Sequence, residues 1–598
     1  MKSEIIDKII LGFLLFILYL NLIFPGEIYF ISAYLAIFIT NTLFFLFFIT
    51  QLQKEVRFSI KLPFKGLFLA LMLLMVISTF SSINYHHSRG FFFLFLSYVL
   101  IFFLIQNIKI DTTTISILYK SLFAVTLLIA LYGLYQYFFG FDYLLKELSS
   151  FKGIEPAQII DIQKRLADRR IFSTFALPTS FGGFLAVVMP LAAAKIYSSW
   201  HRKKKQLFFY IPLLLIYFSV MIATGSFGAL ASLVSGALLA FLLLFYKRRE
   251  FKRFFLYLLI LIVVLALSLV ILAHFRGFSL WNLEAPTNPI VLRLDNWKVA
   301  SDIALDYPIL GAGLGSYGTL YPEYMTIDKS QTQFAHNTPL QLAGEIGWLG
   351  TFIIFLFFLL LLYSIVKHIK RKLGNQSSND LLITKSALLV SCLTFAIHNL
   401  IEINLYFYSL GLTGILLFSL LMTISRKKEE GTIKKQKEMS HGRKVLFAWI
   451  ILIFFIVISI WITRPFIATI YAQNAEEAAE NEDYQRSLGL LSTALKWDGT
   501  NSEYYSARAK VKLISASPRD GNLDSAIKDY RKAIQGNPFA PRFHFELSEL
   551  YLTKGWFTSA YLEASDAKRL YPLNQKYLAH LNKCRKIMEE LKFNGNTN

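Results

Sequence analysis

The residues best suited to chemistry lie in one polar stretch, 288–350, which reads NPIVLRLDNWKVASDIALDYPILGAGLGSYGTLYPEYMTIDKSQTQFAHNTPLQLAGEIGWLG. Asn288 can cap a helix, and Pro289 fits its first position, where a missing N–H costs nothing. That helix is predicted to run to about Asp306 and to stop before Pro308. Arg293, Trp297 and Ala300 recur at i, i+4 and i+7 and so share one face. Trp297 can lie on a membrane surface or against neighbouring helices. Arg293 beside it can snorkel to the membrane surface or be aimed at a ligand. Gly311-Ala312-Gly313-Leu314-Gly315 follows a helix rather than a strand, so it reads as a tight turn and not as a dinucleotide fingerprint. His336-Asn337 opens a return helix that carries Glu345 and Gly347. A lone histidine is often structural; this one could also titrate or act as a base.

The elements that must position these groups are membrane helices. The chain is 55% hydrophobic and only 17% charged, against about 25% charged in soluble proteins. Apolar runs near 20 residues indicate an all-α, polytopic transmembrane bundle. The spans fall at about 9–24, 29–50, 64–82, 90–106, 115–139, 174–198, 207–224, 226–246, 254–273, 344–366, 382–404 and 406–425, with a thirteenth at 445–463. Met1–Lys8 is short and charged, and no small-residue cleavage site follows it, so the first run reads as a span rather than a signal peptide. The net charge of +22 is explained by short basic loops that orient the protein, so nucleic acid is not expected as a partner. Cys392 and Cys584 lie far apart, which supports neither a disulfide framework nor a thiolate metal site.

The basic clusters 54–65, 202–205, 247–253, 367–372 and 426–443 share one side, the cytoplasm by the positive-inside rule. The N-terminus is then inside. Three loops face outside: 84–90 with His86, His87 and Arg89; 140–173, which carries an amphipathic helix ending in Arg169 and Arg170; and 275–342. Charged groups distant in sequence thus share a compartment. His398, Asn399 and Glu402 lie near the outer end of the eleventh span, where ionisable groups are functional candidates by default, although core hydrogen bonding explains them equally well.

Domain organisation follows: a membrane domain over 1–425, a cytoplasmic linker over 426–444, the span at 445–463, and a soluble helical region over 469–598. That last region repeats. Small residues recur at Ser487, Ala526 and Ala560, and again at Ala494, Ala533 and Ala567, while Pro538 and Pro572 are 34 apart. This resembles the tetratricopeptide repeat, an α-solenoid in which small residues let paired helices pack closely. The longer first interval requires an insertion near 515–522.

RLDNWKVASDIALDYPILGAGLGSY followed by AHNTPLQLAGEIGWLG is similar to the core motif of the O-antigen ligase and O-antigen polymerase superfamily. Arg170-Ile-Phe-Ser-Thr-Phe-Ala-Leu-Pro178 and Ala223-Thr-Gly-Ser226 resemble its supporting motifs. Phe227 stands where the family commonly has arginine, and Ser173, Thr174 and Leu177-Pro178-Thr179 depart from the upstream pattern, which weakens a substrate role for Ser226 but leaves Arg293 and His336 untouched. The resemblance implies transfer of a glycan from a polyprenyl diphosphate carrier to an acceptor hydroxyl outside the cytoplasmic membrane. Arg293 and Arg170 would bind the diphosphate, with Arg169 and Arg89 as further candidates. His336 would be the acceptor base or an orienting group. Glu345 would hold His336, position the acceptor, or make a structural bond. Trp297, Gly311, Gly313 and Asn337 would shape the motif.

No cofactor and no metal site is expected, since no Asp-x-Asp or ligand-spaced cluster occurs in the membrane loops. Partners would be the lipid-linked donor, a glycan, lipid or protein acceptor, membrane lipids, and a protein bound through the repeats. Within this chemistry a polymerase, using a second lipid-linked repeat as acceptor, is the alternative to a ligase. A transporter or flippase would predict internal duplication and broken mid-membrane helices, and an anchored scaffold would not need twelve spans.

Overall fold

In lipid, backbone groups must find their hydrogen bonds within the protein, so the apolar runs fold as helices. The computed structural model describes residues 2–52, 61–148, 162–163, 166–201, 205–245, 263, 288–327, 332–373, 379–425, 441–515 and 522–595. The described residues form helices joined by turns and loops, with no strand among them.

The membrane part comprises α1 (Lys2–Ile23), α2 (Phe30–Leu52), α3 (Lys65–Phe80), α4 (Tyr85–Asn107), α5 (Thr112–Tyr135), the short α6 (Phe141–Glu147), α7 (Pro178–His201), α8 (Leu207–Ala223) and α9 (Phe227–Phe245). The central stretch adds α10 (Pro289–Asp306) and α11 (Tyr317–Tyr324), followed by α12 (Thr338–Leu373), α13 (Asn379–His398) and α14 (Tyr408–Ser425). Ten described helices are long and apolar enough to cross a membrane; α3 and α8 are apolar but shorter. The expected span at 254–273 lies outside the described residues, apart from Val263. The chain is a multi-pass helical membrane protein.

Two local expectations change. Residues 84–90 are not a loop: Asn84 accepts from His87 N, and His86, His87 and Arg89 form the first turns of α4. The 140–173 segment follows a π-turn over Gln136–Gly140 and starts with the seven-residue α6, and Arg169 and Arg170 come later in a turn. Most of the amphipathic helix expected between them lies outside the described residues.

Hydrogen bonds gather the turns at one end of the bundle. Thr174 Oγ1 donates to Leu22 O at 2.7 Å, Arg170 Nε to Thr224 O at 2.9 Å, Ile83 N to Ala312 O at 3.1 Å, and Thr338 N to Asn399 O at 2.9 Å. Arg170, Arg293, His336 and Glu402 therefore share that end. Below it, α13 packs on α7 and α9, and α10 packs on α12.

One 40-residue helix, α15 (His441–Glu480), forms both the last span and the first helix of the repeat region. Its membrane part lies on α2, with Phe455 stacked on Phe45 at 4.5 Å. The repeats continue through α16 (Tyr484–Trp497), α17 (Ser502–Ile514), α18 (Asn522–Gly536), α19 (Pro541–Thr553), α20 (Phe557–Leu570) and α21 (Gln575–Gly595). The six recurrent small residues are all buried between paired helices. The insertion expected near 515–522 falls mainly on residues outside the described set.

Candidate active site

Asn288 Oδ1 accepts from Ile290 N at 2.9 Å and caps α10, whose first position is Pro289. Val299, Ala300 and Ile303 are buried against α12 and α11, which fixes the rotation of α10. Trp297 Nε1 then reaches His336 O at 3.2 Å. His336 has a left-handed backbone, φ 52°, a conformation a non-glycine residue adopts only when its surroundings hold it there. The next residues supply that restraint. Asn337 Oδ1 accepts from Leu340 N at 3.0 Å, capping α12, and the single Thr338 hydroxyl hydrogen is shared between Asn399 Oδ1 at 2.8 Å and Glu402 O at 3.0 Å.

This strap brings His336 onto Glu402, with His336 Nδ1 2.9 Å from Glu402 Oε2. Arg293 approaches from the other side. Its Nη2 donates to Glu402 Oε1 and its Nη1 to Ile401 O. Glu402 is only 2% exposed, whereas the Arg293 and His336 side chains are 31% and 25% exposed. A buried carboxylate thus supports two groups that reach solvent. Burial pushes Glu402 up, but the Arg293 guanidinium and the His336 hydrogen bond outweigh it and hold the carboxyl down at about 2. An ionised carboxylate only accepts, so Nδ1 of His336 carries a hydrogen toward Glu402, and in the neutral ring the lone pair is then on Nε2. Among the described residues Nε2 has no hydrogen-bond partner. Under this group the buried His398 bonds to Asn404, and its ring occupies space left by Gly183, where a Cβ would lie 2.4 Å from it.

Glu345 belongs to a separate network and does not hold His336. Its carboxylate accepts from Gln341 Nε2 at 3.1 Å and from Tyr406 OH at 2.7 Å. Its carbonyl accepts from Gly313 N at 2.9 Å, while Gly344 O accepts from Ala312 N at 2.8 Å. These carbonyls are open because α12 breaks at Gly347, φ 73°. The glycine turn plugs into the break. A Cβ on Gly311, φ 70°, would lie 2.1 Å from the Glu345 carbonyl carbon, so no side chain fits there.

The remaining arginines separate. Arg170 packs on the Thr224-Gly225-Ser226 turn, joining the two supporting motifs through Thr224 O. Arg169 pairs with the half-exposed Asp142. Arg89 is buried and forks onto Asp498 of the repeat region, which His86 Nδ1 also approaches at 3.2 Å. Burial pushes Asp498 up, but these hydrogen bonds and the Arg89 charge hold it well below the usual carboxylate range. Arg89 therefore fastens the repeats to α4 rather than standing open to an anion. Glu402 was legible only as an ionisable group near the outer end of a span; nothing marked it as the partner of His336. Among the described residues, the one His/acid group close enough to share a metal ion is His544, Glu563 and Asp566 in the repeats. Both His544 nitrogens are already hydrogen-bonded, to Glu563 and to Pro538 O.

Residues 212–355 match a family model described as O-Antigen ligase. A search of curated proteins gave no match. Among solved structures, the chain is similar to the first tetratricopeptide domain of Spaghetti (RPAP3) bound to an HSP90 peptide, with 13% identity, 21% of this chain and 94% of that chain covered, and a TM-score of 0.19. It is also similar to the Arabidopsis OM64 tetratricopeptide domain, at 17% identity over 21% of this chain and 98% of that chain, TM-score 0.19. The Yersinia enterocolitica secretion chaperone SycD, in complex with a YopD peptide, is 17% identical over 21% of this chain and 93% of that one, TM-score 0.18. The matched segment contains Arg293, the glycine turn, His336 and Glu345, and a multi-pass helical membrane protein thus holds, over 212–355, a stretch similar to the O-antigen ligase family.

Proposed function

We propose that the protein moves a glycan from a polyprenyl diphosphate carrier to an acceptor hydroxyl at the outer face of the cytoplasmic membrane. The observation that carries this reading is the Arg293–Glu402–His336 constellation in and beside the O-antigen ligase segment. His336 Nε2 takes the proton of the acceptor hydroxyl as its oxygen bonds to the anomeric carbon. The bond from that carbon to the diphosphate oxygen breaks, and the electron pair leaves with the polyprenyl diphosphate. Glu402 orients the imidazole and stabilises its protonated form. Arg293, with open N–H edges at a partly exposed guanidinium, faces the leaving diphosphate, and Arg170 is the second candidate cation.

The N-terminus and the basic ends of the spans would be cytoplasmic, with the site and the repeats outside. The repeats, anchored through Arg89–Asp498 and through Arg569–Glu323 beside α11, are suited to bring a protein partner or acceptor to the site.

The test uses purified protein, a defined lipid-linked donor and an acceptor saccharide. His336→Ala should abolish transfer while donor binding persists. Transfer at the wild-type rate in that variant would refute the catalytic role. In cells lacking the protein, accumulation of lipid-linked polymer would identify a ligase, and accumulation of single lipid-linked repeats a polymerase. Unchanged surface glycans would overturn both.

A further inference from the structure

At the other end of the bundle, about 45 Å along α12 from its start at 1.5 Å per residue, lies a cavity of about 230 Å³ between α12 and α14. Lys367, His368 and Arg371 line it from α12, and Ser425 lines it from the last turn of α14. None of its described lining residues is acidic. Lys385, itself buried, stands behind with Nζ 3.4 Å from His368 Nε2. The carbonyls that end α12 and α14 account for some of this positive charge. They do not account for Ser425, which is buried with an Oγ that has no hydrogen-bond partner among the described residues. Leading up to the cavity, α12 carries an exposed apolar stripe, Phe352, Phe355, Leu359 and Tyr363, at the three- and four-residue spacing of one helix face. Lys367 continues that face and lies over the Tyr363 ring at 5.6 Å.

A cationic pocket at a membrane end of a bundle, continuous with an apolar lipid-facing stripe, matches a molecule with an anionic head and acyl tails. We propose that this cavity binds the phosphate of an anionic phospholipid. Lys367, Arg371 and the Ser425 hydroxyl contact the phosphate oxygens, and the acyl chains lie along Phe352–Tyr363. This site is remote from His336 and does not depend on the transfer reaction assigned to that end.

The test measures the thermal midpoint of the purified full-length protein with short-chain phosphatidylglycerol, short-chain phosphatidylcholine or inorganic phosphate, and counts retained lipids by native mass spectrometry. Phosphatidylglycerol should raise the midpoint, and phosphatidylcholine and inorganic phosphate should not. Lys367→Gln/Arg371→Gln should weaken the apparent phosphatidylglycerol affinity by on the order of thirtyfold, and Lys367→Arg should retain it. Both side chains are exposed, so the double variant should fold, and its unliganded midpoint checks this. An equal shift with phosphatidylcholine would overturn the headgroup assignment, and an equal shift with inorganic phosphate would mean a free-anion site instead. An unchanged phosphatidylglycerol response in the double variant would overturn the site itself.

Discussion

His336 Nδ1 lies 2.9 Å from one oxygen of Glu402, and the other oxygen of that carboxylate accepts from Arg293. One buried acid therefore fixes the imidazole and the guanidinium together. Glu402→Gln preserves the shape but removes the charge and presents an amide to His336. The glutamine should lower turnover by on the order of 10²–10⁴, the scale of a lost acid–base orienter, with a smaller effect on the donor KM. Initial rates on a defined lipid-linked donor check this, and a variant turning over like wild type would remove Glu402 from the mechanism.

The same geometry sets a pH dependence. The Glu402 carboxyl is held down at about 2, against an ordinary 4.5. Its contribution to stability is fully present above the unfolded value and is lost as pH falls through the folded one. The stability difference between wild type and Glu402→Gln should therefore be flat from neutral pH down to about 4.5 and shrink below it. Thermal unfolding across that range measures it. A difference that already shrinks at neutral pH would mean that Glu402 is not held as an anion.

Arg293→Lys keeps a positive charge but not the planar fork that reaches Glu402 and Ile401 O at once. Transfer should fall sharply while the protein still folds. Full activity would return Arg293 to a membrane-surface role. Activity should also survive a chelator, since the proposed leaving-group stabilisation comes from guanidinium groups; loss restored by magnesium would contradict that.

The fold was legible where a signal is local. Apolar runs gave the spans, Asn288-Pro289 gave the start of α10, and recurrent small residues gave the helix pairs. The site was legible only in part, because its partners meet across long separations. Glu402 lies 66 residues beyond His336, and Asp498 lies 409 beyond Arg89, and no periodicity links such pairs. For Glu345 the sequence left three roles open: holding His336, positioning the acceptor, or a structural bond. The break at Gly347 diverted it, since the glycine turn takes up the Gly344 and Glu345 carbonyls and Tyr406 takes the carboxylate.

That turn makes its own prediction. Gly311→Ala would place a Cβ 2.1 Å from the Glu345 carbonyl carbon at φ 70°. The backbone strain alone costs about 1–3 kcal/mol, and the clash adds to it, so the variant should show a clearly lower thermal midpoint or poor yield. Gly489→Ala, on an open helix surface with nothing within 4 Å, is the control and should not destabilise.

The repeats are tied to the membrane part by a buried ion pair, Arg89 with Asp498, whose side chains are 7% and 1% exposed. Removing one partner leaves a buried charge unpaired, which costs about 3–5 kcal/mol, whereas replacing both with apolar residues of similar size is often neutral. Asp498→Ala should therefore loosen the repeats from α4, seen as faster proteolytic release of a C-terminal fragment, while Arg89→Met/Asp498→Leu should restore much of the protection. The acid response has a definite sign. Asp498 is held well below its ordinary 3.8, so the tie is intact above that value and weakens only as pH falls beneath it. Release of the repeats at mildly acidic pH, or equal protection in Asp498→Ala and wild type, would show that other contacts, such as Arg569 with Glu323, hold the repeats in place.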